Sequence, residues 1–237
     1  MVRHNIKCED ILHIIDNMRH KNVLVIDDTI VDQYAYCNAV GMSQEDPTIV
    51  VTQDELKLFL DGAGIVVEHA KYLGAKQVSY FSAVGQGAHP KFVRQRLSEY
   101  NARSFFYEDG TRPTIIKTRY RVGSKTLLRV NEVRSHDISE ALQTCIGDDL
   151  KKALHHVDVV LSSDFNYGML PQPLVDDITA YAAAKPVILA ADSQTSSQVG
   201  DISRFKNMHL ITSTEREIRV AHKNDKDGLV ILAQKLT

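Results

Sequence analysis

Val23-Leu24-Val25-Ile26 is an unbroken apolar run that stops at Asp27-Asp28. A strand that is apolar at every position has to be covered on both faces, and this is the signature of a parallel sheet. Similar short runs recur along the chain and alternate with amphipathic stretches. After a first helix over residues 6–18, strands are expected at 23–26, 77–83, 104–107, 157–162, 187–191 and 208–212. Helices are expected at 62–73, 90–100, 138–155, 171–184, 214–221 and 227–236, with Gly74 closing the first of these and Thr214 capping the fifth. Alternation of this kind specifies an α/β fold with a doubly wound, mainly parallel sheet.

Two segments break the rhythm. Residues 34–51 and 114–130 carry strand patterns with polar alternation and no helix between them. Short strands are expected at 34–36 and 48–51, and a hairpin over 114–121 and 126–130 turns at Gly123-Ser124. The two segments are expected to pair as a small second sheet.

Composition narrows the partners. The 237 residues carry 28 Lys+Arg against 30 Asp+Glu, so the charge balance gives no bulk drive toward nucleic acid or an anionic membrane. No apolar run is long enough to span a bilayer, and the charged N-terminus lacks a signal-peptide core. The three cysteines, Cys8, Cys37 and Cys145, are scattered and show no metal-ligand spacing. Reduced, mostly buried thiols and a cytoplasmic location are the expectation.

Ligands of open α/β sheets bind beyond the carboxyl ends of the strands. The residues there are Asp27, Asp28 and Asp32, then Gly85-Gln86-Gly87, then Ser162-Ser163-Asp164, Asp192-Ser193-Gln194 and Thr212-Ser213-Thr214. Loops are polar in any case, so no one of these positions is decisive alone. No P-loop or nucleophile elbow is present, and Gly85-Gln86-Gly87 lacks the third glycine of a dinucleotide fingerprint. Asp27-Asp28 has the look of a magnesium-holding acidic pair, but it lacks Asp-x-Asp spacing, which leaves metal binding undefined. Gly62 and Gly64 open a helix whose free N–H groups favour anionic or hydroxyl oxygens. Lys117, Arg119 and Arg121 alternate along one strand and share a face, with Arg129 on the partner strand. That face would suit a phosphate gripped by guanidinium groups, but on the residues alone a solvated strand face is the expectation.

In order along the chain, the segments VLVIDDTIVDQYAY (23–36), DGAGIVVEHAKYLGA (61–75), RPTIIKTRYRVGSKTLLRV (112–130), DVVLSSDFNYGML (158–170) and LITSTEREIRVA (210–221) resemble the PfkB/ribokinase superfamily of sugar kinases. Within it, they are similar to the heptose-phosphate kinase domain of ADP-heptose synthase. The resemblance implies a single ribokinase-like domain over residues 1–237, with a Rossmann-like core and a β-sheet lid formed by about 34–51 and 112–131. It implies a sugar or sugar phosphate as partner, a homodimer contact through the lid, and ATP with magnesium for the complete fold. Asp32 would hydrogen-bond sugar hydroxyls, and Gly62 and Gly64 would flank the sugar. Lys117 and Arg119 would face the substrate phosphate. Asp164, with Asp192, Thr214 and Glu217, would belong to the nucleotide and phosphate region.

The sequence also departs from the family pattern. Asp27 stands for the first-strand glycine, Asp61 for one glycine of the Gly-Gly pair, Ile65 for a sugar-binding Asn, and Ser213-Thr214 for a Pro and an Asn. The Gly-Ala-Gly-Asp motif, which in the family follows several further strands and supplies the base and the anion cradle, does not occur. No catalytic base is therefore assigned. The expectation is a C-terminally incomplete kinase domain with negligible phosphoryl transfer on its own, because that reaction depends on positioning and charge stabilisation. A non-catalytic module for sugar-phosphate binding or dimerisation is the alternative.

Overall fold

The computed structural model describes residues 6–194 and 200–236. Helix α1 (Cys8–Met18) precedes β1 (Asn22–Ile26) and buries none of its residues. β1 lies near the middle of a six-stranded sheet. Its neighbours are β4 (Gln77–Val84) and β8 (Val159–Asp164), both parallel to it. β5 (Arg103–Glu108) continues the sheet beyond β4. β9 (Ile188–Ser193) and β10 (Leu210–Thr212) continue it beyond β8, again all parallel.

The unbroken apolar run of β1 is explained by the two layers it separates. Leu24 and Ile26 enter one core with Phe81, Ile146, Leu150, Leu174 and Ile178, under α4 (Glu140–Ala153) and α5 (Gln172–Ala183). Val23 and Val25 enter the other with Val67, Val78, Tyr80 and Leu97, under α2 (Ala63–Tyr72) and α3 (His89–Glu99). Successive side chains alternate between faces, so a strand covered twice must be apolar throughout. α6 (Glu215–His222) and α7 (Leu229–Gln234) extend the first layer through Ile218 and Leu232.

The lid is larger than its sequence pattern suggests. β2 (Thr29–Met42) leaves β1 after only Asp27-Asp28 and pairs antiparallel with β3 (Ile49–Gly62), which runs directly into α2. The two short strands expected at 34–36 and 48–51 are thus the middle and one end of a long hairpin. Residues 52–61, which carry many polar side chains, form most of β3. Polar alternation here reflects a ribbon with both faces largely open. β6 (Ile115–Val122) pairs parallel with β2, and β7 (Lys125–Glu132) pairs antiparallel with β6, giving the sheet order β3-β2-β6-β7.

Cys37 is buried, whereas Cys8 and Cys145 are exposed free thiols, so the expectation of mostly buried cysteines is corrected. No described helix is long and apolar enough to cross a membrane.

Candidate functional site: a cleft between lid and sheet edge

The lid projects from the carboxyl end of β1. Pairing in register sets Asp32 beside Lys117 and Tyr34 beside Arg119, while Arg129 on β7 sits opposite Arg119. The expected shared face of Lys117, Arg119 and Arg121 is present, because cross-strand partners and every second residue point the same way. A cleft of about 500 Å³ opens under this face. It is lined by Asp61, Lys117, Arg119, Arg129 and Asn131 from the lid, and by Phe165, Tyr167 and Gln194 from the sheet edge.

The cleft's charges are arranged in pairs, with one left over. Arg119 bonds Asp32, and Lys117 lies 3.9 Å from Asp61. The Lys117 ammonium also stands 4.9 Å from the centre of the Phe165 ring and 5.4 Å from that of Tyr167, which fixes it by cation–π attraction. Arg129 forms no ion pair among the described residues. Burial raises the pKa of Asp32 above the ordinary carboxylate range, against the lowering effect of the Arg119 hydrogen bond, and the Asp61 charge raises it further. One Asp32 oxygen has no hydrogen-bond partner.

Gly62 is where the backbone needs a glycine. Its φ is +61°, and a Cβ there would stand 2.9 Å from the Ile30 side chain and 3.0 Å from the Asp28 carbonyl oxygen. Gly64 would tolerate a Cβ, which would meet only Leu60 at 3.6 Å. Gly85-Gln86-Gly87 has a structural role: a Cβ on Gly85 would meet the Arg112 carbonyl oxygen at 2.4 Å, so this glycine lets the chain entering β6 pass.

The four residues expected at the nucleotide end do not line this cleft. Asp164 is buried, accepts hydrogen bonds from Ser193 Oγ (3.0 Å) and Arg204 Nη2 (2.7 Å), and borders a separate recess of about 290 Å³ with His136, Asn166 and Arg204. Asp192 accepts a bond from Thr212 Oγ1 (2.9 Å), and burial raises its pKa. Thr214 and Glu217 form a capping box on α6: the Thr214 N–H donates to Glu217 Oε2 (2.7 Å), and the Glu217 N–H donates to Thr214 Oγ1 (3.3 Å). These acids are engaged within the chain. Among the described residues no group of three or more His, Cys, Asp or Glu is arranged to hold a metal ion.

Between the two ends lies a buried charge cluster that sequence reasoning missed as a unit. Arg112, just before β6, donates from Nε to Asp109 Oδ2 (2.8 Å), from Nη1 to the Tyr167 carbonyl (3.0 Å) and from Nη2 to the His136 carbonyl. Its Nη1 also lies 3.8 Å from Asp28 Oδ1. Asp27 accepts the Phe165 N–H at 2.8 Å through Oδ2, and its other oxygen is unpartnered. Burial, then the Asp28 and Asp164 charges, hold the Asp27 pKa well above normal. Burial pushes Asp28 up to about 6, with Arg112 pulling down and Asp164 pushing up. The signal available in the sequence was Arg112-Pro113-Thr114 directly ahead of a strand.

A model of the pfkB family of carbohydrate kinases matches residues 20–237. The chain belongs to that family. Its lid and sheet edge correspond to the expected ribokinase-like architecture, with six parallel strands and a small mixed sheet. Among curated relatives, the bifunctional protein HldE of Helicobacter hepaticus is 28% identical over 212 residues, covering 88% of this chain and 43% of the relative. HldE of a Nitratiruptor species is 26% identical, covering 86% and 43%. The chain thus spans less than half the length of the curated relatives it matches. Among solved structures, Escherichia coli phosphofructokinase-2 in complex with fructose-6-phosphate superposes with a TM-score of 0.66 at 13% identity, over 91% of this chain and 69% of that one. A carbohydrate kinase from Agrobacterium tumefaciens gives 0.65 at 14% identity, over 91% and 67%. These likenesses show the PfkB fold, while the site's chemistry rests on its own residues.

Proposed function

We propose that this chain is the acceptor-binding part of an ATP-dependent sugar-phosphate kinase, with a hexose or heptose phosphate as its ligand and negligible phosphoryl transfer by residues 1–237 alone. The observation that carries the reading is the cleft's charge pattern. Lys117 and Arg119 are each balanced by a carboxylate, while Arg129, across from Arg119, is not. A phosphate monoester there would be gripped by a fork of guanidinium groups, and charge-assisted bonds of this kind are the strong ones. Asp32, its second oxygen unpartnered, would accept a sugar hydroxyl, and the positive φ of Gly62 would let the sugar approach the backbone.

ATP and magnesium belong to the reaction of the complete family fold. In this chain Asp164, Asp192 and Glu217 are held by internal bonds, and no Gly-Ala-Gly-Asp base motif occurs. That combination supports binding without efficient turnover. The test is a thermal-shift panel of sugar phosphates and free sugars, run beside an ATP-turnover assay. Stabilisation by phosphorylated sugars with no turnover is expected. Sugar-dependent ATP turnover that disappears in Asp164→Ala would overturn the inactive half of the reading. No shift with any sugar phosphate would overturn the binding half.

A second reading, assembly through the lid as a homodimer, has its own support. The lid face opposite the cleft carries Leu56, Leu128 and Val130, all exposed. Register places Leu56 and Leu128 in one cross-strand row with Ala35 and Tyr120. An apolar row this exposed suits a contact with a second copy. Sedimentation analysis of Leu128→Lys tests it, with loss of a dimer expected.

A further inference from the structure

The floor of the lid cleft is the segment that follows β8 and presents the Phe165 and Tyr167 rings. Its backbone is held by residues at the chain's crossings between sheet and lid. Asp27-Asp28 is the whole connection from β1 to β2, and Arg112 lies in the connection from β5 to β6. Asp27 Oδ2 accepts the Phe165 N–H at 2.8 Å, Arg112 Nη1 donates to the Tyr167 carbonyl at 3.0 Å, and Asp28 Oδ2 accepts the Met169 N–H at 3.4 Å.

Of these three contacts, the one from Asp27 leads most directly to a charge in the cleft. Phe165 packs with Ile30, Ile115 and Tyr167 in a small core of its own. Its ring centre stands 4.9 Å from the Lys117 ammonium, nearer than that of Tyr167 at 5.4 Å. Cation–π attraction fades beyond about 6 Å, so it requires the ring to stay under the ammonium. The ionic partner of Lys117, Asp61, is 3.9 Å away with its side chain 28% exposed, and an ion pair that long and that wet orients a lysine weakly. Asp27 is fully buried with one oxygen unpartnered, and a carboxyl is costly to bury in that state. The glycine of the family pattern has no side chain to accept the Phe165 N–H, so the contact belongs to this chain's departure from it.

We propose that Asp27 is a positioning residue for the cleft. Through the Phe165 N–H it seats the Phe165 ring under Lys117 and fixes the ammonium that would meet the ligand's phosphate. The ligand half of this inference rests on the functional reading above, whereas the seating of the ring is read without any sugar.

The test compares the full chain with Asp27→Asn, which keeps an oxygen acceptor of the same shape, and with Asp27→Ala, which removes it. Lys117 lies against two rings, so its ε-methylene protons, assigned with Lys117→Arg, should resonate upfield of those of other lysines. That shift should collapse in Asp27→Ala and survive in Asp27→Asn. The Phe165 amide should exchange about tenfold faster or more in Asp27→Ala alone. In calorimetry, Asp27→Ala should bind fructose 6-phosphate about three- to tenfold more weakly with fructose affinity unchanged, and Asp27→Asn should bind as wild type does. Where Asp27→Ala does not fold, Asp27→Gly, the residue of the family pattern, takes its place.

An upfield shift that survives Asp27→Ala, or that is lost equally in Asp27→Asn, would overturn the proposal. So would a loss of affinity in Asp27→Ala that falls equally on fructose and fructose 6-phosphate, since that marks a general loosening of the fold. Failure of the wild-type chain to bind any sugar phosphate would overturn the functional reading, and the ring-current comparison would still decide the role of Asp27.

Discussion

The two ends of the sheet's carboxyl edge use the same residue types for opposite purposes. At the lid end, Asp32, Lys117, Arg119 and Arg129 line or back an open cleft of about 500 Å³, and one guanidinium is left without a carboxylate. At the other end, Asp164, Asp192, Thr214 and Glu217 are bonded to Arg204, Thr212 and one another. The lid end keeps a guanidinium without a carboxylate and an Asp32 oxygen without a hydrogen-bond partner, whereas the acids at the far end are bonded within the chain.

The largest effect is expected where the two ends join. Arg112→Ala would leave Asp28 and Asp109 buried without their cation, at a cost of about 3–5 kcal/mol in denaturant unfolding. A loss below about 1 kcal/mol would show that the ends are not coupled through this arginine.

Next in size is a pH effect at the same place. The Asp28 pKa, raised to about 6, means that the unfolded chain releases this proton first as pH rises. Stability is therefore greatest below the ordinary carboxylate range and falls as pH climbs toward and through 6, by on the order of 3 kcal/mol for this group. Asp27 contributes in the same direction. Asp28→Asn should flatten the slope of unfolding free energy between pH 4 and 6.5, and an unchanged slope would remove Asp28 from the account.

Comparable in size, and sharper as a contrast, are paired substitutions at the two ends. Arg119→Ala should weaken sugar-phosphate binding by about 1.5–3 kcal/mol, since a charge-assisted bond is lost. Asp164→Asn should lower stability by about 1–3 kcal/mol through its buried bonds to Ser193 and Arg204, while leaving the sugar-phosphate Kd unchanged. Smallest is Glu217→Ala, which removes half a capping box and should cost about 1 kcal/mol of stability with no effect on binding.

Much of the fold was legible because β1 and its neighbours are read from local apolar runs, and α6 from Thr214 and Glu217. The lid's extent was not, because most of β3 is polar on an exposed ribbon and only its last residues, Leu58 and Leu60, reach the core. Of the site, Lys117, Arg119 and Arg129 were readable from strand alternation. Asp164 and Asp192 were found at strand ends, but their engagement by Arg204 and Thr212 depends on residues 40 and 20 positions away. Arg112 escaped notice because its partners come from four separate segments that only the folded chain assembles.

The central claim is that the lid cleft holds a phosphorylated sugar through its unpaired guanidinium. Titration calorimetry of the full chain with fructose 6-phosphate and with fructose, in wild type and Arg129→Ala, tests it most directly. The account predicts binding of the phosphate ester at least about tenfold tighter than the free sugar, with most of that preference lost in the variant. Equal affinity for both sugars, or a preference that survives Arg129→Ala, would contradict it.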